Sequence, residues 1–238
     1  MIRVLIWVGL LTSGALAESL TLDLGSSGGS FSGRLIQLFL VFTVLSVAPS
    51  LVIMATSFTR MVVVLSFLRN SIGLQQSPPN MVIVSLAMFL TLFVMSPTFE
   101  KAYEDGVAPL IAEKIKEEEA LKRAVEPFKE FMLKNVREQD LGLFVDLAKI
   151  DKLEKPSDTP LKVLIPAFMI SELKRAFEIG FLIFIPFLII DLVVAAVLMA
   201  MGMMMLPPVT ISLPFKIIFF VLIDGWHLLS GSLVNSFS

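Results

Sequence analysis

Residues Ile165–Lys216 read IPAFMISELKRAFEIGFLIFIPFLIIDLVVAAVLMAMGMMMLPPVTISLPFK. The stretch opens amphipathic over Ile165–Phe177, where Ser171-Glu172-Leu173-Lys174-Arg175 carries charge of both signs. Ile179–Leu206 is then a run of 28 residues interrupted only by Gly180, Pro186, Asp191 and Gly202. As one helix it would be roughly 40 Å long, against a hydrocarbon core of about 30 Å. The run is too long for an upright crossing. It must tilt, kink at Pro186, whose missing N–H cannot bond the Leu182 carbonyl, or lie partly within protein. A plain anchor needs neither an acid at its centre nor five methionines between Met199 and Met205.

The rest of the composition agrees. The chain has 238 residues, 56% of them hydrophobic, and a mean hydropathy of +0.86, which places it among integral membrane proteins. A net charge of −2 with no basic stripe argues against a nucleic-acid surface. With no cysteine, a disulfide, a thiolate metal site and a cysteine nucleophile are all excluded.

The N-terminus reads as a signal peptide. Met1-Ile2-Arg3 is a basic leader, Val4–Leu11 an apolar core too short to span, and Ala15-Leu16-Ala17 a cleavage site of small residues. Residues 18–34, with Gly25-Ser-Ser-Gly-Gly-Ser30, are expected to be a flexible segment and not a phosphate loop, since no Gly-Lys-Ser/Thr follows.

Four apolar segments are expected, grouped in two hairpins at 35–98 and 165–238, so the fold class is all-α. Leu35–Ala55 carries Gln37 and Pro49; after Ser57-Phe58-Thr59-Arg60, Met61–Leu68 resumes apolar. Gly73–Asn80 is a loop because Pro78 and Pro79 disfavour a helix there. Met81–Met95 is short and ends at Ser96-Pro97, and Ile211–Val234 carries Pro214, Lys216, Asp224 and His227. Only Ile179–Leu206 looks like a normal span. Lipid does not tolerate charges and irregular backbone, so the others are expected to face protein within a larger assembly.

Between the hairpins, residues 99–164 form a water-exposed insertion. Phe99–Lys162 holds 15 acidic and 12 basic residues. Ile111, Ile115, Leu121, Val125, Phe128 and Met132 recur at helical spacing, and Glu118/Lys122, Glu119/Arg123 and Glu130/Lys134 are i,i+4 pairs. Pro127 is expected to kink or break this helix, and a shorter one is expected at Leu141–Leu153. Cleavage after Ala17 followed by four crossings puts the insertion on the exported side. Its basic residues oppose the positive-inside rule, which weakens in loops longer than about 60 residues.

Asp191 has two readings. A bare acid in lipid costs about 2.5–3.5 kcal/mol, which protonation or a partner must offset. It is either a proton relay or pore-lining charge, or one half of an inter-helix ion pair with Arg60 or Lys216. The methionine cluster likewise reads as adaptable core packing, or as a gate if the segment repeats around an axis. No catalytic constellation is visible: His227 has no ligand spacing or nucleophile around it, and Glu172 and Glu178 beside Lys174 and Arg175 suggest salt bridges. No cofactor or metal is expected.

Six blocks carry a resemblance: SFTRMVVVLSFLRN at 57–70, QQSPPN at 75–80, SELK at 171–174, IPFLIIDLVV at 185–194, MGMMM at 201–205 and LPFK at 213–216. They resemble the FliP family, the flagellar members of the type III secretion export-gate proteins. The resemblance implies five copies around a central channel, joined with FliQ and FliR subunits within the flagellar basal-body ring, passing unfolded flagellar proteins across the inner membrane. It also implies hairpins raised toward the periplasm in place of conventional crossings. Met203, Met204 and Met205 match the family's methionine gasket at the narrowest point, and Glu172 with Lys174 a contact between subunits. Injectisome relatives usually lack a cleaved signal peptide, so Ala15-Leu16-Ala17 favours the flagellar branch. The rival readings are a proton-coupled transporter subunit using Asp191 and an injectisome gate subunit.

Overall fold

The computed structural model describes residues 53–74, 76–150, 156–203 and 205–237, with helical positions at 35–36, 38–39, 42–43, 46 and 50. The signal peptide, the segment 18–34 and Met204 lie outside the described residues. The chain divides into two compact units, Met1–Val47 and Ala48–Ser238. In the first, the hydroxyls of Thr43 and Ser46 donate to the carbonyls of Phe39 and Phe42 one turn earlier, at 2.8 and 2.7 Å.

The second unit is helical, and no strand occurs among its described residues. Helix α1 is Phe58–Ile72 and α2 is Asn80–Ala102, which continues through a π turn at Tyr103–Val107 into the short α3, Ala108–Ile111. Helices α4 (Glu117–Asn135) and α5 (Glu138–Leu147) form the charged insertion. Helix α6 runs from Leu161 to Ala200, and α7 (Pro208–Leu222) and α8 (Gly225–Asn235) follow it.

The all-α expectation holds, and four boundaries move. The second apolar segment does not stop at Ser96: α2 runs through Pro97, and Asn80–Ile111 is one rod of 32 residues. A proline removes a single backbone bond, and in an apolar setting no water is at hand to satisfy a broken helix. The same reason carries α6 through Pro166 and Pro186, so the amphipathic lead-in and the apolar run are one helix of 40 residues, about 60 Å long. Pro127 sits inside an unbroken α4. Helix α5 starts at Glu138, includes Gly142 and ends at Leu147, short of the expected Leu153.

Among the described residues, two helices are therefore long and apolar enough to cross a membrane, Asn80–Ile111 and Leu161–Ala200; α7 and α8 would make a third only as a pair bent by 63°. The expectation that a single segment qualifies is corrected by the run through Pro97. Only 28% and 11% of the most apolar windows of these two helices are covered by the chain itself, so the remainder must face lipid or other protein.

Helix α1 is the centre of the packing and lies chiefly against α6. Met61, Val64, Leu65, Leu68 and Ile72 form its buried stripe at helical spacing, meeting Ile83 and Ala87 of α2, Ala176 and Phe187 of α6, and Phe220, Leu229 and Leu233 beyond. A smaller cluster of Ala55, Met132, Leu164 and Phe168 seats α4 on the start of α6. Phe131 packs against both clusters and joins them, edge-on to Phe168 and stacked on Phe237. In the insertion, Glu117–Glu119 occupy the N-terminal turn of α4, where the helix dipole favours acids. The expected pairs Lys122–Glu118 (3.7 Å) and Arg123–Glu119 (3.0 Å) form, whereas Glu130 lies 4.0 Å from Lys101 of α2.

Helices α1 and α6 approach closely at Gly180, where a Cβ would fall 2.6 Å from the Phe67 ring and 3.2 Å from its Cβ. Those atoms lie at the root of the side chain and cannot swing clear. Gly180→Ala is expected to lower stability by about 1–3 kcal/mol, the cost of overpacking. Thermal unfolding in detergent checks this, and Phe67→Ala in the same chain should recover part of the loss.

Candidate functional site

Three features gather on α6, and its charged side chains organise two of them. On α1, Arg60 shares the buried face of Met61 and Val64, which aims its guanidinium at α6. There Nε donates to Glu172 Oε2 at 2.8 Å and Nη2 to Oε1 at 2.5 Å, a two-pronged pair whose side chains are 1% and 0% exposed. Nη1 donates to the Ser236 carbonyl (3.0 Å) and hydroxyl (2.8 Å), and the guanidinium lies 3.6 Å from the centre of the Phe237 ring. One planar cation thus joins α1, α6 and the tail after α8. Arginine suits the task because its fork matches a carboxylate while its flat face stacks on a ring.

The second cluster lies further along the same helices. Lys216 of α7 donates to Asp191 Oδ2 at 2.7 Å and to the Ser71 carbonyl at 3.2 Å. Ser212, one turn before Lys216 and fully buried, donates to Asp191 Oδ1 at 2.5 Å. Asp191 is thereby bonded on both oxygens, and the lysine also takes one of the carbonyls left open at the C-terminal end of α1, where a cation is favoured. Beside it, Arg69 ties the α1–α2 loop by donating to the Pro78 carbonyl (3.4 Å) and to Asn80 Oδ1.

These contacts settle which of the two expected partners Asp191 takes. It is Lys216, and Arg60 is committed to Glu172 instead. The structure separates Glu172 from Lys174: two residues on a helix differ by about 200°, so one faces α1 while the other faces out. Lys174 Nζ lies 3.9 Å from Glu178, one turn on, both well exposed. The inter-subunit contact that the resemblance implies for Glu172 and Lys174 needs a second chain; within this one, the Glu172 carboxylate is held by Arg60. Ser212, Ser236 and Phe237 were not foreseen. Ser212 had a signal in its place four residues before Lys216; the two tail residues had none.

The third feature is the methionine turn. After Ala200 the chain adopts a left-handed conformation at Gly202 (φ 75°), with Gly202 N–H donating to the Met199 carbonyl (3.0 Å) and Met203 N–H to that of Leu198 (2.9 Å). This glycine-terminated motif stops α6 and reverses the chain before Pro207-Pro208 opens α7. The turn sits about 14 Å beyond Asp191, and among the described residues no side-chain hydrogen bond joins α6 to α7 past the Asp191 cluster. Met203 is 41% exposed and Met205 98%.

An all-α membrane subunit emerges, braced internally by its buried charges and with broad apolar faces left uncovered. A sequence profile of the FliP family matches residues 41–233. The chain is 59% identical to the flagellar biosynthetic protein FliP of Caulobacter vibrioides over 96% of its own length and 86% of that protein. It is 57% identical to the protein of the same name from Agrobacterium fabrum (88% of this chain, 86% of the other), and 58% identical to that from Bacillus subtilis (85% and 91%). The chain belongs to the FliP family.

Removing one partner of the buried pair leaves the other charge stranded. Glu172→Ala or Arg60→Ala is expected to cost about 3–5 kcal/mol, read as lost folded protein in membranes and a lower melting temperature in detergent. Replacing both by methionine should cost less than either single change. Equal losses would show that the pair is not the unit.

Proposed function

We propose that this chain is a channel-forming core subunit of the flagellar type III protein export gate, through which unfolded flagellar proteins cross the inner membrane. It would act without catalytic chemistry or a cofactor. The observation that carries the reading is the exposed methionine turn at the tip of an apolar hairpin, in a chain of this family. Its unbranched thioether side chains can fill the gap around an axis when it is empty and yield to a passing polypeptide. Met203, Met204 and Met205 would form that seal.

The uncovered faces of α2, α6 and α7 supply the surface that copies of this chain, in a ring of five, and the FliQ and FliR subunits would cover. Residues 99–164 would stand in the periplasm, after removal of residues 1–17, with the whole seated in the flagellar basal-body ring. The injectisome alternative is disfavoured by the names of the relatives above. The proton-coupled alternative is disfavoured by the bonding at Asp191, which is that of a structural brace.

Two experiments divide these readings. Changing Met203, Met204 and Met205 together to Ala should raise ion or small-dye leakage while flagellin-type substrate is still secreted, at normal complex levels. A tight membrane with the complex intact would return the methionines to ordinary packing. Asp191→Asn should lower the amount of assembled complex, scored on native gels of detergent extracts. Normal assembly with transport abolished would favour the proton-coupled reading.

A further inference from the structure

The chain has 13 methionines and no cysteine, so no thiol of its own competes for an oxidant. The described methionines differ widely in exposure. Met61, Met95 and Met132 are sealed in the helix core at 0%, 0% and 1% exposure. Met199, Met201, Met203 and Met205 stand 61%, 66%, 41% and 98% exposed, within seven residues of one another. The cause is geometric: α6 ends at Ala200, the left-handed Gly202 turns the backbone, and no helix of the described chain packs over the apex. Met81 and Met88, seven residues apart on α2, are also exposed, at 80% and 49%, but form no such cluster.

We propose that the Met199–Met205 turn is an oxidative modification site for hypochlorous acid, and that its oxidation opens the barrier assigned to it above. The first part rests on the geometry of the turn; the second rests on the gate reading. The thioether sulfur attacks the chlorine of HOCl, forming an S–Cl bond as the O–Cl bond breaks and hydroxide leaves. Water then adds to sulfur, chloride departs with the S–Cl electron pair, and two protons are lost, one of them neutralising the hydroxide. Sulfur gives up two electrons, chlorine takes them, and the products are sulfoxide, chloride and one proton. Each sulfoxide replaces a flexible apolar group with a polar, hydrogen-bond-accepting one, and reductases of the methionine sulfoxide class restore the thioether. A patch of adjacent thioethers turned polar together would admit water where the intact turn excludes it.

The test uses the protein purified from membranes in its native assembly and treated with limiting hypochlorous acid. Peptide mapping by mass spectrometry should find oxygen added to the turn methionines about tenfold faster than to Met61, Met95 and Met132. If the turn is no faster than Met132, the site is overturned. In reconstituted vesicles, the same treatment should raise dye leakage several-fold, and methionine sulfoxide reductase should reverse it. The variant with Met199, Met201, Met203, Met204 and Met205 all changed to Leu keeps volume and apolarity, and should stay tight and insensitive to the oxidant. Oxidation at the turn without leakage, in a protein whose alanine triple variant leaks, would overturn the regulatory part and leave the gate reading standing. Oxidation without leakage where the alanine variant is also tight would remove the gate reading and leave only the modification site.

Discussion

The structure depends on a buried arginine that cannot shed its charge. Arg60 must be solvated by protein, and the groups that do so come from two distant parts of the chain: the Glu172 carboxylate, and the Ser236 hydroxyl and carbonyl with the adjacent Phe237 ring. In a protein with so much apolar surface, packing alone is a weak specifier, because one leucine-rich face fits another about as well as it fits lipid. A charge pair differs in that it has one low-energy arrangement and is costly in every other. It fixes the register of α1 on α6 more sharply than the contacts of Met61, Val64 and Leu65 around it.

The Asp191–Lys216 cluster does the same for α6 and α7, and the two clusters divide the long helix by function. Between Glu172 and Asp191, α6 is held on α1 by the Arg60–Glu172 ion pair at one end, by close approach at Gly180, and at the other end through Lys216 of α7, which bonds both Asp191 and the Ser71 carbonyl. Beyond Asp191 it is held to α7 through apolar side chains and the turn itself. Polar braces resist sliding, whereas apolar contacts between smooth helices permit it. The methionine turn is therefore placed on the end of α6 that polar bonds do not brace.

Much of this was legible in the sequence, for reasons that differ by feature. The all-α class follows from long apolar runs and helical spacing, both local. That Asp191 must be protonated or paired was also legible, since a bare acid in an apolar helix is costly; the choice between these, and between Arg60 and Lys216 as partner, was not. The Arg60–Glu172 pair joins residues 112 apart, and no local pattern signals a partner at that range. The helix ends were misread at prolines. Ser96-Pro97 looks like a stop and Pro127 like a kink or break by the rules of water-exposed helices, and α2 and α4 pass through them unbroken. The stop at Gly202 is of a different kind, a left-handed cap that depends on the backbone alone.

The spacing of charges along α6 bears on how the hairpin meets a membrane. From Glu178 to Asp191 the uncharged stretch is 12 residues, about 18 Å, and from Asp191 to the turn it is about 14 Å more. Neither alone reaches the roughly 30 Å of a hydrocarbon core. A crossing must therefore carry the Asp191–Lys216 pair at depth, and it can, since each charge is neutralised by the other and both are hydrogen-bonded to Ser212 or Ser71. Helix α7 is harder to accommodate. Its 15 residues span only about 22 Å before Asp224 and the sharp bend into α8. Two arms of such unequal length, one 40 residues and one 15, cannot both be full crossings of the same bilayer. At most one arm of the hairpin crosses in full, and the apolar surface that the chain leaves uncovered faces lipid or other protein.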